Sequence, residues 1–296
     1  MNSFAILIDS TGDLGKDLRA QYDIDYCPMG ISIDGKDYPA SLDWDQGMTP
    51  HQLYDLMRQG MKFYTSQVPA QTFETKFKQY LDKGLDVYYI ACSSGLSGSI
   101  NIARSVAQKL APSYPNQKIV CFDSLISGYA QGAMAIKASE MRKEGKGIDE
   151  VAAWLDKNKL RYNQFGAIDN LTYLKRAGRV SASSAFFGNL FGVKPIVISD
   201  TKGHNYAYKK VKGRKASLID IAQETVAATD DIEHSTIWIG HIDDPEGAEF
   251  VRQEILKIAK PGNIYVGPIG PIVGGSTGPG TVATYTFGKE VTVCGE

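Results

Sequence analysis

Hydroxyl groups and glycines concentrate in three short stretches of the chain: Thr65-Ser66-Gln67, Ser93-Ser94-Gly95-Leu96-Ser97-Gly98 and Gly274-Gly275-Ser276-Thr277-Gly278-Pro279-Gly280. Hydroxyls donate hydrogen bonds, and glycine lets a ligand come close to the backbone. The chemistry on offer is therefore the holding of an anion, a carboxylate or a phosphate. The second stretch follows an apolar run and opens a helical one, and the free N–H groups at a helix N-terminus favour negative charge. Ser94 and Ser97 add hydroxyl donors there, and Gly98 leaves the backbone open. Ser97 is equally a good N-cap residue, so a plain helix cap and an anion cradle both stand on spacing alone. Thr65-Ser66-Gln67 reads as a polar linker between two helices, with Thr65 or Ser66 capping the second.

Nucleophilic and metal chemistry find little support. Gly95-Leu96-Ser97-Gly98 does not make the G-x-S-x-G elbow. The stretch ending in Gly288-Lys289 puts Ala283 where a Walker loop needs its first glycine. Cys27, Cys92, Cys121 and Cys294 form no C-x-x-C pair and the four histidines are scattered, so no metal site is expected. The cysteines read as reduced structural thiols. Asp9-Ser10-Thr11 is a cap or part of a cleft wall. Arg176 with Arg179, and Lys209, Lys210, Lys212 with Arg214, form two basic clusters, either solvated surface or a docking patch for an acidic partner.

The elements that must position these groups alternate. Phe4–Ile8 reads as a buried strand, Leu14–Tyr22 as a helix and Ile24–Ile33 as a second extended segment, with Asp34-Gly35 as a turn. Thr49-Pro50 opens a helix. Pro69–Leu81 is helical, Val87–Ala91 a strand, Ser97–Leu110 a helix, Ile119–Phe122 a strand, and Ser127–Glu144 and Ile148–Asn158 helices. Strands alternating with helices imply a parallel sheet covered on both faces, with the polar loops gathered at its carboxyl edge. After about Lys159 the texture changes. Strands are read at Gln164–Ile168, Val193–Ile198 (broken early by Pro195), Asn205–Val211, Thr236–Ile239 and Ile264–Val266. Helices are read through Leu171 and Leu174, over Ala185–Phe191, Leu218–Ala228 and Pro245–Ile258, and Val291-Thr292-Val293 closes the chain. This predicts two closely packed α/β domains, 1–160 and 161–296, the second with a largely antiparallel or mixed sheet.

Composition bounds the function classes. The chain has 296 residues, 43% hydrophobic and 22% charged, with a formal net charge of −1. That is ordinary globular usage, and no long-range field draws it to nucleic acid. No stretch approaches the ~18 apolar residues of a membrane span. The first apolar run is short and meets Asp9, so it is not a signal sequence. A cytoplasmic protein, not an integral membrane protein, is expected.

In order along the chain, Asp9-Ser10-Thr11, Thr65-Ser66-Gln67, the Ser93–Gly98 stretch, Asp123-Ser124, Leu174-Lys175-Arg176-Ala177-Gly178-Arg179-Val180-Ser181, Lys194-Pro195 and Ser276-Thr277-Gly278-Pro279-Gly280 resemble the bacterial DegV family. The resemblance implies a Rossmann-like parallel-sheet domain, then an α/β domain with a mainly antiparallel sheet, and a ligand tunnel between them holding a long-chain fatty acid. It implies a lipid-binding protein rather than an enzyme, with no cofactor. It also implies a partner: in members working with a bacterial fatty acid kinase, an ATP-binding subunit phosphorylates the presented carboxylate, and the acyl phosphate feeds phospholipid synthesis. Carried onto this chain, Thr65 and Ser97 match the carboxylate-binding hydroxyls, assisted by the Gly98 N–H, with Ser66, Ser94, Ser276 and Thr277 beside them. The family usually has histidine where this chain has Ser276. Serine still donates a hydrogen bond but does not take up and release a proton near neutral pH, as histidine can. The basic docking surface is matched only by Lys212 and Arg214. Apolar candidates for the acyl tunnel are Phe186, Phe187, Leu190, Phe191, Ile196 and Ile198, each of which also suits an ordinary core. Two other functions remain open: an acyl or phosphoryl transferase using Ser97 or Thr65, which lacks a visible general base, and a binder of another small anion.

Overall fold

The computed structural model describes residues 3–45, 48–181 and 192–295. The first strand, β1 (Phe4–Asp9), is buried at every position and runs into a tight turn over Ser10–Gly12. Helix α1 (Lys16–Tyr22) leads to β2 (Ile24–Cys27). Next, β3 (Gly30–Ile33) and β4 (Lys36–Pro39) form a hairpin through Asp34-Gly35. Both turn residues have positive φ, 50° and 84°, as a two-residue hairpin turn demands. Helix α2 (Pro50–Arg58) starts on a capping box between Thr49 and Gln52. It is followed by β5 (Phe63–Ser66), α3 (Ala70–Leu81), β6 (Asp86–Ala91), α4 (Ser99–Leu110), β7 (Ile119–Asp123), α5 (Tyr129–Lys143) and α6 (Ile148–Asn158). The strands order β2-β1-β6-β7, all parallel. Helix α5 packs on β1 and β6, α3 on β6 and α4 on β7. Such a sheet, covered on both faces, selects the continuous apolar runs seen in β1 and β6. A smaller antiparallel sheet, β4-β3-β5, stands beside it.

The second half builds a six-stranded sheet. Its elements are β8 (Tyr162–Ala167), α7 (Leu171–Ala177), β9 (Val193–Ser199), β10 (Asn205–Lys212), α8 (Arg214–Ala228), β11 (Thr236–His241), α9 (Pro245–Ile258), β12 (Asn263–Pro268), α10 (Pro271–Thr277) and β13 (Val282–Phe287). The order is β10-β9-β8-β13-β11-β12, antiparallel except for β11 and β12. The expectation of an α/β chain with a parallel sheet followed by a mainly antiparallel one is met.

Several elements differ from the sequence reading. Strand β13 was not expected, yet it joins β8 to β11 at the middle of the sheet. Its threonines conceal it: Thr284 and Thr286 are buried and bond the hydroxyls of Thr225 and Thr229 at 2.5 and 2.7 Å. The Gly274–Gly280 stretch is not a loop throughout, because α10 runs to Thr277. Glycines are poor helix formers, and tertiary packing imposes the helix here. A Cβ on Gly274 would collide with the Tyr54 hydroxyl, and one on Gly275 with the Phe63 ring. Thr65 and Ser66 end strand β5 rather than lying in a linker. Pro195 does not break its strand: it pairs with Lys210 of β10, and the ladder from β9 to β8 involves only Ile196 and Val197. Residues 291–293 form no strand; they are tied by single bonds, Val291 N–H to Leu160 O and Thr201 N–H to Val293 O.

One hydrophobic core joins the two sheets. Trp238, Ile269, Ile272 and Tyr285 pack into the cluster built on β1 and β6. Tyr129 stacks on Trp238 with centroids 5.8 Å apart and planes 13° from parallel. A second core fills the space beneath α8 and α9.

Candidate functional site

The carboxyl ends of β1 and β6 are held by one carboxylate. Asp9, fully buried, accepts at Oδ1 from the Thr11 N–H (3.0 Å), the Thr11 hydroxyl (2.5 Å) and Gln131 Nε2 (3.3 Å). At Oδ2 it accepts from the Tyr89 hydroxyl (2.7 Å) and the Cys92 N–H (2.8 Å). A buried carboxylate is tolerated when its lone pairs are filled in this way. This network fixes where the chain leaves β6 and enters the Ser93–Gly98 loop. A further bond clasps that loop to the second half of the chain: Ser93 Oγ donates to Gly203 O at 2.7 Å.

Beside the network lies a cavity of about 330 Å³. Thr65, Ser66 and Gln67 face it from the end of β5, Leu96, Ser97 and Gly98 from the loop before α4, and Ile272, Val273, Ser276 and Thr277 from α10. Thr11, Met29, Cys92, Ser127, Arg179 and Asn205 complete the wall. The structure thus brings together six of the seven expected ligand-binding residues. Ser94 is the exception: it is exposed, and its N–H donates to Asp123 Oδ1 at 3.0 Å.

The bridge between the first two stretches is Ser99, a residue the sequence reading passed over. Its hydroxyl accepts from the Val68 N–H (3.1 Å) and lies 3.0 Å from Ser97 Oγ. Ser97 is not the helix cap; Gly98 holds that position, and Ser97 Oγ accepts from the Ser99 N–H at 3.2 Å. The Gln67 amide rests against Gly98. On α10 the hydroxyls of Ser276 and Thr277 donate back to Ile272 O (3.0 Å) and Val273 O (2.8 Å). Thr65, Gln67 and Ser127, in contrast, make no side-chain hydrogen bond to another described residue, so their donors are free for a ligand. Asp13 anchors α10 at its start by accepting the Gly270 N–H at 2.9 Å, and burial pushes its carboxyl well above the usual range.

The basic clusters divide. Arg179 is exposed at the cavity rim, and with Arg176 it flanks an adjoining groove that includes Met57, Met61, Phe63 and Tyr173. Arg214 is not a free docking group. It pairs with Asp244 at 2.6 Å and also donates to Ala167 O and Gly280 O. Lys209 is paired with Asp220 and Glu224.

Of the tunnel candidates, Phe186, Phe187, Leu190 and Phe191 lie outside the described residues. Ile196 and Ile198 are buried in the core with Leu218 and Ile221 of α8. Val197, between them, points the other way and lines a smaller chamber of about 30 Å³ that shares Ser127, Asn205, Val273 and Thr277 with the cavity. The alternation of a strand explains the difference.

Among the described residues the cavity wall is mainly hydroxyl, amide and apolar. Cys92 is its thiol, and burial together with the Asp9 charge pushes it well above its ordinary value despite a hydrogen bond from Thr11. Among the described residues no histidine, aspartate or glutamate lines the cavity. The grouping of His51, Asp55 and Asp243 shares no residue with the cavity, and Arg58 bridges its two carboxylates. No described helix is long and apolar enough to cross a membrane.

Fold and cavity together define the class: a three-sheet α/β protein whose hydroxyl-lined cavity sits where the sheets meet. The chain belongs to the DegV family, with residues 3–289 matching the family model described as "Uncharacterised protein, DegV family". It is 33% identical to the DegV domain-containing protein CPE0026 of Clostridium perfringens over 288 residues, covering 97% of this chain and 98% of that one. Among solved structures it is similar to a fatty-acid-binding DegV family protein from Thermus thermophilus (25% identity, TM-score 0.86), covering 98% of this chain and all of that one. It is also similar to DegV, a fatty acid binding protein from Bacillus subtilis (25% identity, TM-score 0.83, the same coverage).

Proposed function

We propose that this chain binds a long-chain fatty acid, with its carboxylate at Thr65, Ser97, Gly98 and Gln67 and its acyl chain running between the two units, residues 1–160 and 161–296. The observation that carries the reading is a hydroxyl-lined cavity that shares Ser127, Asn205, Val273 and Thr277 with an adjoining hollow also walled by Ile168, Val197, Ile269 and Ala283. Free donors at one end suit a carboxylate. Each methylene buried along the apolar end contributes ~0.8 kcal/mol, so a long chain needs few polar contacts. Fatty-acid-binding relatives of the same fold support this assignment.

The chain acts as a carrier without catalysis of its own, presenting the carboxylate at the rim by Arg179 to a separate ATP-binding kinase subunit. Ser276 does not take up or release a proton near neutral pH as histidine does, so it suits binding of the carboxylate and not proton relay. The test is organic extraction and mass spectrometry of the purified protein, then reloading of the stripped protein. Fatty acid is expected in the extract and on reloading. Protein that comes empty and takes up no acyl chain overturns the reading. Addition of a fatty acid kinase subunit and ATP tests the second half by acyl phosphate formation.

A further inference from the structure

The smaller chamber is not walled by hydrocarbon alone. Ser127 and Asn205 line both it and the cavity. Asn205 Oδ1 accepts from Gln164 Nε2 at 2.9 Å. That bond leaves the Asn205 amide N–H₂ and the Gln164 carbonyl without a side-chain partner among the described residues. If both amides are turned over, one amide donor and one amide acceptor still remain. The Tyr285 hydroxyl stands beside them on the same sheet, since Tyr285 of β13 pairs with Gln164 of β8 and both line the chamber. Gly128, next to Ser127, has φ of 69°, and a Cβ there would collide with that hydroxyl. Tyr285 is buried, and its hydroxyl makes no hydrogen bond to a described residue; nor does the Ser127 hydroxyl, in a residue 7% exposed. Four polar groups from β8, β10, β13 and the β7–α5 loop therefore line one small chamber beside the cavity with donors and an acceptor unspent.

A plain polymethylene chain passing this point leaves all of them unsatisfied, which is costly in a buried site. A hydroxyl is both donor and acceptor and satisfies an amide N–H, an amide C=O or a neighbouring hydroxyl in either sense. We infer that the preferred ligand is a fatty acid bearing a hydroxyl part-way along its chain, read by Asn205, Gln164, Ser127 and Tyr285. The inference rests on the fatty-acid reading and deepens it. A site built to bond a hydroxyl discriminates against the analogue that lacks it, whereas an apolar pocket barely distinguishes the two.

The test is calorimetric titration of the stripped full-length protein with stearate and with monohydroxystearates whose hydroxyl is stepped along the chain. One position is expected to bind about tenfold more tightly than stearate, with the others near or below it. In Asn205→Leu that preference shrinks while stearate affinity holds or rises. A merely damaged protein loses both. If every hydroxystearate binds no better than stearate, as it would where a water fills the node, the inference is overturned while the fatty-acid reading stands. If neither stearate nor any hydroxystearate binds, the fatty-acid reading itself has failed, and the inference falls with it.

Discussion

The Asp9 network and the cavity beside it use the same kinds of group to opposite ends. Around Asp9 every donor has found an acceptor: Thr11, Tyr89, Gln131 and the Cys92 N–H all point at one buried carboxylate. Across the cavity wall the Thr65 and Ser127 hydroxyls and the Gln67 amide point at no described partner. Satisfied polar groups rigidify, whereas unsatisfied ones facing a cavity wait for a ligand. The closed set holds the strand ends in place, and the open set can then be aimed without moving. The two regions should therefore fail differently: damage to the first lowers stability, and damage to the second lowers affinity.

The largest effect tests the closed set. Asp9→Ala removes the acceptor of five hydrogen bonds, strands the Tyr89 hydroxyl and the Thr11 and Cys92 N–H groups, and is expected to cost about 3–5 kcal/mol of stability, read as a lower urea midpoint. A loss below about 1 kcal/mol would mean that the network is not what holds β1 to β6. The matching test of the open set is Thr65→Val, which keeps the shape and removes the free donor. Stability should stay within about 0.5 kcal/mol of the parent, and fatty acid affinity should fall roughly ten- to hundredfold. A variant that lost stability but kept its affinity would reverse the comparison.

Much of this division was legible in advance. The parallel half announced itself because β1 and β6 are uninterrupted apolar runs, and buried strands need such runs. Thr65 and Ser97 were visible as hydroxyls next to turns. Ser127, at the same strand-to-helix position after β7 that Ser97 holds after β6, could have been found by that analogy. Asn205 and Gln164 carried no signal, since a polar residue at a strand end usually faces water. Strand β5 was hidden by length and by its half-exposed faces. Helix α10 was hidden because Gly274 and Gly275 argue against a helix locally, and only Tyr54 and Phe63 explain them. The misplacement of Ile196 and Ile198 was one of parity: the strand was right and its face was not.

Ser97 lies between the two regimes, which makes it a sharper test. Its hydroxyl already accepts the Ser99 N–H and neighbours Ser99 Oγ, yet it lines the cavity. Ser97→Ala is expected to weaken fatty acid binding by about three- to tenfold, less than Thr65→Val, and to cost about 0.5–1 kcal/mol of stability with the fold intact. Unchanged affinity in the titration removes Ser97 from the site.

The smallest effect lies at the surface, where charges are satisfied but wet. His51 Nδ1 lies 3.0 Å from Asp243, its Nε2 lies 3.2 Å from Asp55, and Arg58 contacts both carboxylates. The Asp243 hydrogen bond and charge, with help from Asp55, raise the His51 pKa from its ordinary 6.5, opposed by weak desolvation and by Arg58. A histidine raised on folding gives its full stabilisation below 6.5 and loses it as pH rises through the higher folded value. The pair ties α2 to the β11–α9 loop, so Tm should drift down as pH is raised from about 6.5, and His51→Gln should flatten that drift. The drift should be slight, because water screens an exposed pair and Arg58 still neutralises both carboxylates after His51 has lost its proton. A steep fall in the parent that survives in His51→Gln would place the titrating group elsewhere, and would mean that an open, solvated cluster does not behave as the diluted counterpart of the buried Asp9 network.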